Sequence, residues 1–304
     1  MRFMIRSLTE LLDAAKQGPR RTIAVAAAAD TEVLAAIRDA CSEGISDAIL
    51  VGDEAKIRAI AAEHAYDLSR MEIINTPDNI AAARTAVHLV REARAQMLMK
   101  GLISTADILR AVLDKENGLR NGRVLSHVAA IEVPAYHKLL FMSDAGQNIA
   151  PDVKQKAEIA QNAVEVAIAL GVKTPKVATI CAVEVVNPKM QATLDATELK
   201  TMAERGELKN CIVSGPIALD AAINAEAAIH KGIKSDVAGD ADVLLMPYIE
   251  TANVFYKTLV CLTNAKVAGI IAGAAAPIVL TSRSDSPETK LLSIAYAAVV
   301  AGRC

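Results

Sequence analysis

Short apolar runs alternate with longer helical patterns along almost the whole chain, and this alternation limits the fold more than any other feature. The runs fall at 22–27, 48–51, 72–75, 97–103, 128–133, 139–142, 176–182, 210–213, 243–246, 267–271 and 278–280. Several lack polar alternation, as strands covered on both faces do. Helical patterns lie between them, at 31–42, 54–64, 79–95, 105–114, 152–170, 188–204, 217–231, 251–263 and 286–301. Asp30 and Asp152 supply start signals for two of them. Strand–helix alternation of this kind predicts an α/β chain with mainly parallel sheets and helices on both faces. In such sheets ligands gather at the carboxyl ends of strands, so function is sought there.

A length of 304 residues suits two α/β domains or one large one. The apolar pattern is interrupted at 143–148, Ser143-Asp144-Ala145-Gly146-Gln147-Asn148. The expected division is 1–141 plus 273–304 as a first domain and 142–272 as a second, with the active site in the cleft between them. Hydrophobic residues make up 53% of the chain but aromatics only 3%, so the core is built from Ala, Val, Ile, Leu and Met.

Composition also excludes several functions. A formal charge of −2 gives no basic field for nucleic acid, and few aromatics are available to stack on bases. No apolar stretch approaches the roughly 20 residues that span a bilayer. The run 23–29 follows an acidic, helix-like lead containing Glu10 and Asp13, and reads as a buried first strand, not a signal peptide. The five cysteines are scattered and unpaired in pattern, which fits a reducing cytoplasm and excludes a disulfide framework or zinc site. There is no phosphate loop, dinucleotide fingerprint, zinc-protease motif or nucleophile elbow. The five histidines show no metal-like spacing, and no metal is expected.

Four segments carry chemistry. In the first, an apolar strand delivers Ser282 and Arg283 side by side, and Ser286-Pro287-Glu288 then opens a helix with proline in its first turn. A hydroxyl, a guanidinium and a helix N-terminus together suit an anion undergoing acyl transfer. The same residues also read as a capped helix with a surface arginine. In the second, Lys100-Gly101 ends a strand, Ser104 or Thr105 caps a helix, and Arg110 follows about a turn later. The third is Ser214-Gly215-Pro216, where the glycine lets backbone approach a ligand or simply makes a turn. The fourth is the strand end Met246-Pro247, with Asn253 and Lys257 in the helix beyond it.

At these residues the sequence resembles the phosphate acetyltransferase and phosphate butyryltransferase family. The markers are Ser282-Arg283 after Gly273 and Pro277, Pro247…Thr251…Asn253…Tyr256-Lys257, and Ser214-Gly215-Pro216…Asp220. Met142-Ser143-Asp144…Asn148…Pro151 followed by Glu158-Ile159-Ala160 is also similar. The resemblance implies a two-domain fold like that of the isocitrate and isopropylmalate dehydrogenases, and a homodimer. It implies transfer of a short acyl group between coenzyme A and inorganic phosphate, with coenzyme A as substrate and no permanently bound cofactor. Ser282 corresponds to the family's catalytic serine, and Arg283 and Arg110 to phosphate-binding arginines. Ser104, Thr105, Ser214, Gly215, Asn253 and Lys257 are the further binding candidates.

One position departs from the acetyl branch, which carries an aspartate seven residues after the serine as a proposed base for the thiol. Thr289 stands there, with Asp285 and Glu288 as nearby carboxylates out of register. The text Leu280-Thr281-Ser282-Arg283-Ser284-Asp285-Ser286 is closer to the butyryl branch. A thiol with pKa about 8.5 is roughly 3% ionised at pH 7, so full ionisation gains only about 2 kcal/mol. A positive cleft, Asp285 or Glu288 could supply that. Three other functions are compatible with the fold: an acyl transferase working on acyl carrier protein, for which no basic patch is evident, a non-catalytic coenzyme A or metabolite sensor, and a metal- and NAD-dependent hydroxyacid dehydrogenase. The dehydrogenase would use Asp236, Asp240 and Asp242, which also read as ordinary solvated residues flanking a strand.

Overall fold

The computed structural model describes residues 4–281 and 285–302. Its first stretch runs α1 (Leu8–Gln17), β1 (Arg21–Ala26), α2 (Thr31–Ser42), β2 (Ser46–Gly52), α3 (Glu54–Glu63), β3 (Glu72–Asn75), α4 (Asn79–Arg91), β4 (Met97–Lys100) and α5 (Thr105–Val112). The middle continues with β5 (Ser126–Glu132), β6 (Leu140–Ser143), α6 (Val153–Ala169), β7 (Lys176–Ile180), α7 (Gln191–Glu204), β8 (Ile212–Ile217), α8 (Leu219–Ile223), α9 (Ala225–His230), β9 (Val243–Leu245) and α10 (Ile249–Leu262). The last stretch is β10 (Lys266–Ala272), β11 (Ile278–Val279) and α11 (Pro287–Ala301).

The chain divides into two compact units. A terminal unit comprises Thr9–Arg123 and Ala268–Cys304, and a central unit Met1–Leu8 and Val124–Val267. The division falls at Val124, earlier than the interruption at 143–148 suggests. The reason is β5, which lies before that interruption but pairs antiparallel with β6.

In the terminal unit the strand order is β3-β2-β1-β4-β11-β10. All neighbours are parallel except β10 and β11. The inner strands are buried along most of their length, as their unbroken apolar text requires. Gly101, just past β4, sits against the end of β1: its N–H donates to the Ala26 carbonyl and that of Leu102 to the Ala27 carbonyl, both at 2.8 Å. A Cβ on Gly101 would lie 2.2 Å from the Ala27 carbonyl oxygen, so only glycine fits.

In the central unit the order is β5-β6-β9-β7-β8, parallel apart from the β5–β6 pair. Gly215 in β8 faces Thr179 in β7; a Cβ there would fall 1.6 Å from the threonine Oγ1.

Local signals explain the helix limits. Asp30, Asp53, Asp78, Ser104, Asp152 and Ser286 each accept a backbone N–H of the helix they precede. The pattern at 217–231 reads as one helix but is two. Asn224 is extended between them, and its side chain accepts the Ala227 N–H at 3.1 Å to start α9. The helix predicted over 79–95 ends at Arg91, before Ala93 takes a left-handed φ of 58°. Among the described residues no helix is long and apolar enough to cross a membrane.

Candidate active site

The carboxyl edge of the terminal unit's sheet gathers the ends of β1, β4 and β11 and the starts of α2, α5 and α11. Ser282, Arg283 and Ser284 lie outside the described residues; Thr281 and Asp285, on either side, do not. Thr281 is buried, and α11 begins behind Ser286, whose Oγ accepts the Thr289 N–H at 3.1 Å. Thr289, at the position of the acetyl branch's aspartate, is absorbed by this cap. Its hydroxyl lies 3.1 Å from that of Ser286, and its carbonyl accepts from Ser293 Oγ at 2.8 Å. Ser293 in turn accepts the Gly269 N–H of β10 at 3.0 Å. Residue 289 thus belongs to helix capping and packing. Asp285 is half-buried and Glu288 exposed at the head of the same helix.

Two lysines that sequence reasoning does not select as site residues occupy this edge. Lys290 is 2% exposed, and its Nζ donates to the Asp285 carbonyl at 2.5 Å with the Glu32 carboxylate 3.6 Å away. Lys100, at the end of β4, donates to the Gly101 and Ile103 carbonyls at 3.3 and 3.2 Å. Neither stands out in the sequence: Lys100 ends an apolar run and Lys290 lies in the polar first turns of a helix, both places where a lysine reads as solvated.

Ser104 and Thr105 occupy the start of α5. Ser104 is its cap, with Oγ accepting the Asp107 N–H at 3.1 Å and donating to the Asp107 carboxylate at 2.7 Å. Arg110 donates to Asp107 Oδ1 at 2.5 Å, and its side chain is largely exposed. Together these bonds hold the Asp107 carboxyl below its usual range, the Ser104 hydroxyl first and the guanidinium second. Arg110 also lines a concavity of about 600 Å3 between α4 and α5, with Arg84, His88 and Asp114.

In the central unit the strand ends carry a tighter construction. Asp144, buried after β6, accepts the N–H groups of Gly146, Gln147 and Asn148 at 2.8, 3.0 and 3.1 Å. Asn148 Nδ2 bonds the same carboxylate at 2.5 Å and the Leu125 carbonyl at 2.8 Å. Ser143 Oγ donates to the His127 carbonyl, and the His127 ring meets Tyr256 edge-on at 6.0 Å between centroids. Asn253 donates to the Ala145 carbonyl at 3.2 Å, tying α10 to this turn. Lys257 is exposed further along α10. Ser214 is engaged inside the unit: its carbonyl accepts from Thr179 Oγ1 at 2.9 Å, and its hydroxyl lies 2.8 Å from that of Ser235. Packing against Thr179 by itself accounts for glycine at 215.

A buried ion pair supports the same edge. Lys156 of α6 bonds Asp195 of α7 at 2.6 Å, and the ammonium lies 4.9 Å from the centre of the Tyr248 ring at the head of α10. Gln191 Nε2 adds a bond to Asp195 at 2.8 Å.

The aspartates flanking β9 are neutralised by lysines. Lys138 lies 2.8 Å from Asp240 and 2.6 Å from Asp242, and Lys176 bonds Asp240 at 2.6 Å, joined by His137 at 2.9 Å. Partial burial pushes the Asp240 carboxyl upward, but hydrogen bonds to Lys138 and Lys176 outweigh it and leave the group far below the ordinary carboxylate range. Its stabilising effect is complete above the unfolded pKa of about 3.9 and disappears as pH falls through the lower folded value. Asp240→Asn should therefore unfold at lower urea than the parent at pH 7. The gap should narrow only below about pH 4; a gap that closed at neutral pH would refute the ion network.

Among known proteins, the family profile described as phosphate acetyl/butaryl transferase matches residues 7–84 and 79–298. The chain belongs to the phosphate acetyl/butyryl transferase family. Within that family it is 52% identical over 299 residues to a phosphate butyryltransferase of Clostridium acetobutylicum, covering 98% of this chain and 99% of that protein. A phosphate acetyltransferase of Thermotoga maritima is 44% identical, with 97% of this chain and 99% of that protein covered. Among solved structures, a branched-chain phosphotransacylase from Enterococcus faecalis superposes with a TM-score of 0.82 at 36% identity, over 92% of this chain and 99% of that one. These family matches agree with the acyltransferase and butyryl-branch expectations drawn from Ser282-Arg283 and its flanks.

Proposed function

We propose that this enzyme passes a short acyl group between coenzyme A and inorganic phosphate, and that butyryl or a short branched acyl group is preferred to acetyl. The observation that carries this reading is the near-complete alignment with a phosphate butyryltransferase at more than half identity. Coenzyme A is a substrate and not a resident cofactor. The thiolate attacks the acyl carbonyl, the acyl–oxygen bond breaks, and phosphate leaves with the electron pair. Ser282 hydrogen-bonds the developing oxyanion, often the largest catalytic effect. Arg283 and Arg110 hold the phosphate, and fixing both reactants adds the proximity effect. The working compartment is the cytoplasm. The isocitrate and isopropylmalate dehydrogenase-like description of the fold belongs to the same reading, supported by strand–helix alternation in both units.

A homodimer also belongs to it. Supporting it, α10 turns Val254, Cys261 and Leu262 to solvent along one face, while only Ala252 of that helix is fully buried. The dehydrogenase alternative is disfavoured because Asp240 and Asp242 are already compensated by Lys138 and Lys176.

The test is acyl phosphate formation from acetyl-, propionyl- and butyryl-coenzyme A by the parent, Ser282→Ala and Arg283→Ala, each checked for folding. Each variant should lose more than about tenfold in kcat/KM, or about 1.4 kcal/mol of transition-state stabilisation. A smaller loss removes that residue from the mechanism, and no turnover by the parent removes the acyltransfer reading.

A further inference from the structure

Lys290 is an expensive residue where it stands. It is desolvated, it sits near the start of α11 where the helix dipole is already positive, and burial of an ammonium is unfavourable unless fully paired. Its partners compensate it only in part. One is a neutral backbone carbonyl, and the other a carboxylate on an exposed side chain of α2 beyond close hydrogen-bond range. The other buried side chains of α11 are uncharged, Leu292, Ile294, Ala295 and Val300 among them, with Ser293 and Tyr296 the polar ones. The residue whose carbonyl Lys290 holds, Asp285, follows Ser284 directly, two positions after Arg283. No carboxylate base occupies position 289.

We infer that the buried ammonium of Lys290 supplies the positive charge that stabilises the thiolate of coenzyme A at this edge, in place of a carboxylate that would remove its proton. The inference rests on the acyltransfer reading. In the direction that consumes acyl phosphate, the thiol proton passes to solvent. The sulfur then bonds the acyl carbon, and the carbon–oxygen bond breaks with its electron pair going to phosphate. An opposite charge nearby favours the ionised thiol by about 1–3 pK units, enough to replace a base. α11 packs against α2, β4 and β11; of the charged groups there, Glu32 on α2 approaches Lys290, Lys100 ends β4, and β11 contributes none, while Asp285 and Glu288 flank the start of α11 itself.

The experiment is the pH dependence of kcat with acyl phosphate and coenzyme A for the parent, Lys290→Arg, Lys290→Gln and Lys290→Met, with melting temperatures measured alongside. The acid limb of kcat reports the thiol in the complex, and that of kcat/KM reports the free thiol near pKa 8.5. The parent and Lys290→Arg should keep a low kcat limb. In Lys290→Gln and Lys290→Met that limb should rise by about one unit or more. Activity at pH 7 should fall about tenfold and largely recover near pH 9. The kcat/KM limb should stay in place throughout. A loss of equal size at every pH, or an unmoved kcat limb in Lys290→Gln, overturns the inference. Should Lys290→Met not fold, the arginine and glutamine pair decides alone. A parent that turns over no acyl donor would instead defeat the acyltransfer reading on which the inference depends.

Discussion

Gly101→Ala is expected to destabilise the protein by about 3 kcal/mol, the upper end for forcing atoms into a packed core. The new methyl would sit 2.2 Å from the Ala27 carbonyl oxygen and 2.7 Å from that of Ala26. Both neighbours are backbone at the end of β1, so no rotamer change relieves the clash. Relief requires β1 and β4 to separate at their carboxyl ends, which breaks the bonds from Gly101 and Leu102 to those same carbonyls. Urea denaturation followed by circular dichroism measures the effect. A midpoint within experimental error of the parent would mean that the two strand ends do not approach as described. Activity should fall together with stability, because Ser104 and Lys100 share that edge.

Asp195→Ala is expected to cost about 3–5 kcal/mol, since it strands the Lys156 ammonium in the interior. The pair is buried on both sides, and Asp195 also receives Gln191. Replacing both partners with apolar side chains, Lys156→Met with Asp195→Leu, should recover most of that loss, because a buried ion pair adds little over good packing. If the single and double variants unfold at the same urea concentration, the ion pair is not the source of the loss.

The fold is largely legible because parallel strands buried on both faces write themselves as unbroken apolar text, as in Ile23–Ala26 and Met97–Met99. Aspartate and serine caps then mark where helices begin. Asn224 reads as helix interior because a capping asparagine and an interior one look alike until the backbone bends. The division at Val124 escapes the sequence for another reason: strand 126–132 belongs by pairing to its successor at 140–143, and pairing partners leave no local mark. The site is legible in part. Ser104 and Ser286 stand where their capping chemistry requires, and Asn253 joins the turn after β6. Ser214 and Gly215 are explained by Thr179 and Ser235, contacts made with residues distant in the chain. Lys290 and Lys156 are invisible as site residues because sequence gives a lysine's charge but not its burial.

The placement of β11 has a consequence for how the chain is made. Residues Ile278–Val279 form an interior strand, between β4 and β10, although they follow every strand of the central unit in the chain. Every strand of the central unit has left the ribosome before them, so that unit can close early on its own residues. The terminal unit, whose strands β1 to β4 precede the central unit in the chain, must hold a gap in its sheet until residues 278–279 emerge. Its assembly therefore follows that of the central unit, and with it the edge that carries Lys100 and Lys290.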